Sequence, residues 1–394
     1  MGSDQLHLGN LFRSRREPGK AGLPVISVTM HDGLVHRDTL DRKDNGSLGP
    51  EEHLLVRKDD IAYNMMRMWQ GASGLADSDG IVSPAYVVVI PQKDIDPSFA
   101  AYWFKSARMI YLFWAYSYGI TGDRLRLYYK DFAQIPVNVP PKPEQERIGR
   151  VLATADRAIA GMEKLIAAKR TLKKGLAQQL LTGHRRLPGF NKPWVTKRLG
   201  NLATFHFSSI DKKTYSDEIP VRLCNYTDVY NNDRITHNLN FMPATASKSA
   251  VENFTLKQWD VVITKDSETP ADIGKPAVVM QDLPGVVCGY HLAILRPRSV
   301  DGLFLSQLLR LSRIRYELYR IANGVTRFGL GLSSLRQLEL SVPDQPEQVR
   351  IAAVLDAVDR EIALLEKKLA ALRELKKGLM QKLLTGPMPA KESA

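Results

Sequence analysis

The chain has 394 residues, 44% of them hydrophobic, and 55 Lys and Arg against 42 Asp and Glu leave a formal net charge of +13. That length holds two or more ordinary hydrophobic cores, and the basic balance favours a polyanionic partner without specifying a fold. Two cysteines, Cys224 and Cys288, give neither a disulfide framework nor a paired-cysteine metal signature, and no secretory segment or apolar run of roughly 18 residues occurs, so a cytoplasmic protein with no membrane contact is expected.

In chain order, Leu8-Gly9-Asn10-Leu11 opens a first block, residues 1–142, without a preceding Pro-Trp pair. Strand-like runs follow at 23–28, 60–63, 80–82 and 86–91, β-branched and bounded by Gly and Pro as buried strands are. One amphipathic helix, 99–117, carries Tyr102, Trp103, Phe104, Tyr111, Phe113 and Trp114 at helical spacing, which makes them core. It ends in Gly119-Ile120-Thr121, and a last strand, 135–139, delivers the chain to Pro143.

Residues 143–183 form a long helix. Ile148, Leu152, Ala155, Ile159, Met162, Ile166, Leu172, Leu176 and Leu180 trace an apolar seam, the pattern of a coiled coil. Pro143 with Glu144 suits a first helical turn, Lys173-Lys174-Gly175 marks a basic kink point, and Gly183 is a stop. At 1.5 Å per residue, roughly 38 helical residues span about 57 Å.

The second block, 184–345, repeats the first in layout. Leu199-Gly200-Asn201-Leu202 follows Pro193-Trp194; strands fall at 219–224, 260–263, 285–287 and 291–295; one helix, 303–323, holds Leu308, Leu309, Leu311, Tyr316 and Tyr319; then come Gly324-Val325-Thr326 and a strand at 338–342. Residues 346–386 return the long helix, identical to 143–183 at 26 of 41 ungapped positions. Its seam is Ile351, Leu355, Val358, Ile362, Leu365, Leu369, Leu372, Leu379 and Leu383, with one gap that Leu375 or Lys376 fills. Residues 387–394 read as a disordered tail. The fold class is α+β, two α/β domains alternating with two long helices that form an antiparallel coiled coil of pseudo-twofold symmetry. Near-constant helices imply one shared job, and diverged domains imply two different ones.

No catalytic constellation stands out. The one Pro-Pro, Pro140-Pro141, lacks the flanks of a methyltransferase motif; there is no phosphate-binding loop; Phe328-Gly329-Leu330-Gly331 lacks the setting of a cofactor loop; the eight histidines form no metal-spaced pair. The expectation is a chain that is not an enzyme and holds no cofactor or metal.

Two diverged α/β domains alternating with two similar helices, entered through Pro-Glu-Gln-Glu-Arg-Ile and Pro-Glu-Gln-Val-Arg-Ile and left through Leu-Leu-Thr-Gly, with Ile263-Thr264-Lys265-Asp266 inside one domain, resemble the specificity subunit (HsdS) of type I restriction-modification systems. The resemblance covers essentially the whole chain. It implies that each domain is a target recognition domain reading one half of a split, asymmetric double-stranded DNA site, and that the coiled coil spaces the halves and docks two methyltransferase subunits. S-adenosylmethionine would then bind those partners, and restriction/translocase subunits would add cleavage. A stand-alone DNA-binding regulator on the same scaffold is the alternative.

Loop position and residue type nominate the DNA contacts. In the first domain these are Thr29 and His31 in the loop 29–33, then Asn64, Arg67 and Gln70, then Thr121, Arg124 and Arg126. In the second they are Asn225, Tyr226 and Thr227, then Lys265, Ser267 and Glu268, then Thr326 and Arg327. Arg and Lys suit guanine edges and Asn and Gln adenine edges, a good bidentate pair discriminating by about 1–3 kcal/mol; the other cations would hold phosphates. Lys164, Lys169, Lys173, Lys174, Lys367, Lys368, Lys376 and Lys377 either line a DNA-facing side of the rod or are solvated flanks.

Overall fold

The computed structural model describes residues 6–30, 32–40, 48–122 and 124–384. Their contacts divide them into two units, 6–164 with 367–384, and 165–366. Each unit takes one α/β block and part of each long helix, the helices being Lys142–Leu180 and Gln345–Leu384. The predicted tail, 387–394, lies outside the described residues.

The first unit builds two four-stranded sheets. One runs Phe12–Arg15, Tyr86–Pro91, Ile61–Asn64, Ser73–Leu75, antiparallel throughout. The other runs Leu34–His36, Val25–Val28, Gly80–Val82, Leu54–Val56, with Val25–Val28 parallel to Gly80–Val82. The second unit repeats this scheme as Ala203–Phe207, Leu292–Pro297, Val261–Thr264, Pro276–Val279, Arg234–Ile235 and as Met242–Ala246, Ile219–Cys224, Val286–Cys288, again with a parallel central pair. The runs at 61–63 and 261–264 are apolar on both faces because both faces are covered, and every residue from Ile61 to Tyr63 and Val261 to Thr264 is buried.

A turn before each of these strands shows how a shared backbone tolerates different side chains. Asp60 accepts Arg57 N–H at 2.8 Å and a two-point contact from Arg15 at 2.6 and 3.2 Å; Asp260 accepts Lys257 N–H at 2.9 Å and Arg296 at 2.8 Å on each oxygen. Asp59 and Trp259, one position earlier, both sit at φ 69°. Yet Arg15 comes from the strand Phe12–Arg15, whereas Arg296 comes from Leu292–Pro297, the counterpart of Tyr86–Pro91.

Several sequence expectations are corrected. The single helix of each block is two: Pro97–Trp103 and Ala107–Ala115 in the first, Gly302–Leu309 and Ser312–Arg320 in the second. Ser106 caps the restart by accepting Met109 N–H at 3.3 Å, so the aromatic periodicity runs across a break. Phe99, Trp103, Phe104 and Phe113 are core, but Tyr111 and Trp114 are exposed. Residues 135–139 form no strand but an isolated bridge at His7–Pro136, with Leu8 N–H to Ile135 O and Val137 N–H to Leu6 O, whereas their counterpart is a true strand, Glu339–Val342 on Val195–Arg198.

A further correction concerns the seam. In the first unit Asp156 pairs with Lys376 at 2.5 Å and Glu163 with Arg373 at 2.6 Å; in the second Lys169 pairs with Glu361 at 2.8 Å and Lys173 with Asp359 at 2.5 Å. Rising numbers on one helix meet falling numbers on the other in each set, so the two helix segments within each unit are antiparallel. Ile148 and Leu152 in the first unit and Ile166, Ile351, Leu355 and Ile362 in the second are buried, while Ile159, Leu369 and Leu379, and Leu176 in the second unit, are half-buried. Leu172 and Leu375, by contrast, are exposed at 49% and 58%. Lys173 and Lys376 take the inward place instead, and their aspartates also bind the blocks: Tyr102 Oη donates to Asp156 at 2.7 Å, Gln307 Nε2 to Asp359 at 3.0 Å. Both helices run unbroken through Gly175 and Gly378.

The Pro-Glu-Gln phrases acquire a structural reason. Gln145, 1% exposed, accepts Asp96 N–H at 2.9 Å and donates to Asp94 O at 3.2 Å and Pro140 O at 2.8 Å. Asp96 in turn caps the helix Pro97–Trp103 through Phe99 N–H at 2.7 Å. Gln348 repeats the bracket on Asp301 N–H and Pro343 O, both at 2.9 Å, with Asp301 capping Phe304 N–H at 2.8 Å. One glutamine thus locks the start of each long helix to the cap of a block helix.

Candidate nucleic-acid interface

In the first unit two strand-end loops border one groove of about 670 Å³, lined among others by Thr29, Asn64, Arg67, Ser83 and Tyr86. Lys105, at the break between the two block helices, donates Nζ to Met30 O at 3.1 Å and to Gly71 O at 2.6 Å, tying these loops together. Burial pulls its pKa down to about 8, against the raising effect of the Asp32 carboxylate. The third loop joins through Leu127 N–H to Met65 O at 2.8 Å. Tyr118 and Arg126 exchange backbone hydrogen bonds at 3.0 and 2.8 Å and close a hairpin that carries Ile120, Thr121 and Arg124. The three predicted loops therefore form one connected surface.

Their side chains divide by role. Arg67, Thr121, Arg124 and Arg126 are exposed, and Arg67 reaches Gln70 Oε1 at 3.3 Å. Thr29 accepts Asp32 N–H at 3.0 Å and donates to Gly33 O at 3.2 Å, and Asn64 Oδ1 accepts Met66 N–H at 3.0 Å, so both first serve their own turns. His31 lies outside the described residues.

In the second unit the strands Asp266–Ser267, Phe328–Leu330 and Ala322–Asn323 make one small sheet, which brings the loops of Lys265 and Arg327 side by side. Thr326 and Arg327 are exposed at its turn, and Glu268 is exposed beside it. Lys265 pairs with Asp266 at 2.8 Å, and Asp266 also meets His291 Nδ1 at 3.1 Å. Ser267 is buried and accepts Thr269 N–H at 3.2 Å, which makes it a turn residue and not a surface reader. The Phe328 glycine run, expected to lack a strand-then-helix setting, is a strand, Phe328–Leu330, that leads through Gly331 into the short helix Leu332–Gln337.

Asn225 opens the short helix Tyr226–Tyr230, its N–H donating to Asp228 at 2.7 Å. Tyr226 stacks on Tyr230 at 5.6 Å, and Lys275 lies 4.0 Å over the Tyr230 ring, leaving Thr227 as the exposed residue of the three predicted. Arg310 holds the place that Lys105 holds in the first unit, at the end of the first block helix, donating to Pro276 O at 2.6 Å and pairing with Asp233. The sequence reading missed both cations; the available signal was a basic residue at the same point of each block. Of the eight helix lysines, Lys169, Lys173 and Lys376 make cross-helix ion pairs, and the other five are exposed.

Among the described residues no group of three or more His, Cys, Asp or Glu could hold a metal ion, and no helix is long and apolar enough to cross a membrane. The surface described is two sets of polar, cationic loop ends, each mounted on a sheet.

The family described as the type I restriction modification DNA specificity domain matches residues 12–169 and again 191–374. The type I restriction enzyme MjaVIII specificity subunit of Methanocaldococcus jannaschii is 23% identical over 280 residues, 66% of this chain and 64% of that protein. The putative type I restriction enzyme MjaX specificity subunit of the same organism is 24% identical over 277 residues, 65% of this chain and 60% of that protein. The match thus spans less than two thirds of either relative. Among solved structures, the type I restriction-modification system S subunit from M. genitalium aligns with a TM-score of 0.59 at 16% identity over 98% of both chains. A chain from a structure of assembly and conformational transition in the type I R-M system gives 0.52 at 17% over 97% of both. At such identities these two speak to fold.

Proposed function

The chain belongs to the type I restriction-modification DNA specificity family, and on that premise we propose that it is a DNA specificity subunit reading a bipartite, asymmetric double-stranded target. Residues 1–142 and 184–345 are the two recognition domains, and 143–183 and 346–386 are the helices that space them. The observation that carries the reading is duplication with divergence. Both units share the order of their main strands and one set of loop positions, while the side chains on those loops differ, Arg67, Arg124 and Arg126 against Lys265, Thr227 and Arg327. Two different readers on one scaffold call for two different half-sites.

Arg67, Gln70, Thr121, Arg124, Arg126, Thr227, Lys265, Thr326 and Arg327 are the proposed DNA contacts, the cations dividing between phosphate and base edges. The antiparallel helix segments are the proposed dock for two methyltransferase subunits, with restriction/translocase subunits joining the complex in the cytoplasm. S-adenosylmethionine belongs to the methyltransferase partners, and the chain contributes recognition without catalysis. Exchanging residues 194–342 for another recognition domain tests this: the half-site read by that domain changes and the other stays. A change in both halves contradicts modular reading.

A further inference from the structure

Two aliphatic side chains are exposed where folding gives them nothing to do. Ile120 is 101% exposed and Val325 is 92% exposed, each in the middle of a Gly-x-Thr phrase in a block whose sequence otherwise diverges from the other. Most exposed apolar residues lie along helices or sheet edges where their stems still touch protein. These two stand at the tips of hairpins. The first hairpin is pinned by the Tyr118–Arg126 bonds and by Arg124 N–H to Thr121 O at 3.0 Å; the second by the register of Asn323 with Gly329 and Ala322 with Leu330.

The glycine preceding each tip residue makes the projection possible. A Cβ at Gly119 would lie 2.4 Å from Arg124 O, and one at Gly324, whose φ is +122°, would lie 1.9 Å from Arg327 O. Both chains are therefore folded back hard at one point, with the aliphatic residue carried outward. Exposed arginines stand beside each tip: Arg124 and Arg126 in the first unit and Arg327, with the exposed Glu268 near it, in the second.

We propose that Ile120 and Val325 are apolar wedges that press against the bases of the DNA groove while the neighbouring arginines hold the phosphates. The proposal rests on the specificity-subunit reading. An isolated aliphatic tip flanked by exposed arginines fits a polyanion with an apolar interior, and side chains of this kind contact thymine methyl groups or enter base steps in many DNA complexes. A protein partner would be met by a broader apolar patch with fewer cations around it.

The full chain, in complex with its methyltransferase subunits, is titrated with a duplex carrying its mapped target and with one whose half-sites are scrambled. Ile120→Ser and Val325→Ser each lose about tenfold or more in affinity for the target, the scale of one branched aliphatic side chain buried on binding. Ile120→Leu keeps most of it. Neither serine variant changes the salt slope or scrambled-duplex binding, whereas Arg126→Ala lowers the slope. If the wild type separates the two duplexes and the serine variants bind the target at full strength, the wedge assignment is overturned while DNA reading stands. If the wild type does not separate them, the specificity reading falls and the wedges with it.

Discussion

Replacing Gln145 with leucine removes a side chain that is 1% exposed and serves three backbone groups, Asp96 N–H, Asp94 O and Pro140 O. Leucine fills nearly the same volume, so the cost is polar. Each intramolecular hydrogen bond is worth about 0.5–1.5 kcal/mol net, and a buried group left unpaired costs about 1–3 kcal/mol. With the carbonyls partly open to water, the expected loss is about 3–4 kcal/mol for the first unit. Gln348→Leu strands only Asp301 N–H and Pro343 O, and about 2–3 kcal/mol is expected in the second. Because two units unfold, hydrogen exchange read by mass spectrometry is the proper assay. Gln145→Leu accelerates exchange in Pro97–Trp103 and at the start of the first long helix and leaves the second unit alone. Unchanged protection at both places would refute the bracket.

Two further outcomes follow from the charged groups. Lys173→Leu leaves the Asp359 carboxylate, 19% exposed, with only Arg234 at 3.9 Å as a cation and lowers the urea midpoint of the second unit, whereas Lys173→Leu with Asp359→Leu together restores or exceeds it, within the roughly 1–4 kcal/mol by which apolar replacements of inward ion pairs gain. For Lys105 the folded pKa, about 8, lies below the ordinary value of 10.5, so between those limits the unfolded chain binds more protons and stability rises with pH; below pH 8 both states are protonated and the contribution is flat. The urea midpoint of wild type minus Lys105→Met therefore climbs from pH 8 to pH 10, and a flat difference contradicts the buried charge.

Much of this architecture is local and so legible in sequence. The duplicated helices announce themselves because heptad spacing and repetition are properties of adjacent residues, and the strands at 60–63 and 260–263 because both faces are apolar. Most of the misses depend on what another part of the chain brings near. Heptad spacing alone left Leu375 or Lys376 open at the gap and placed Leu172 inward; only the facing Asp156 and Asp359 select Lys376 and Lys173. Aromatic spacing carried one helix through Lys105 and Ser106, where a capping hydroxyl and a cation reaching for Met30 O and Gly71 O divide it in two. At the interface, loop position nominated Arg67, Arg124 and Arg126 in one unit and Lys265 and Arg327 in the other, and the structure brings the loops of each set together. Loop position passed over a local signal, that Thr29, Asn64 and Ser267 hold their own turns through backbone amides two or three residues on.

The most direct test of the specificity role is a genome-wide methylation map. The chain is expressed with the methyltransferase subunits that co-purify with it, modified adenines are read by long-read sequencing, and a culture lacking only this chain is the control. The account predicts a split motif with two unlike halves around unread base pairs, present only with this chain. A continuous or symmetric motif, or no chain-dependent methylation from an assembled complex, contradicts it.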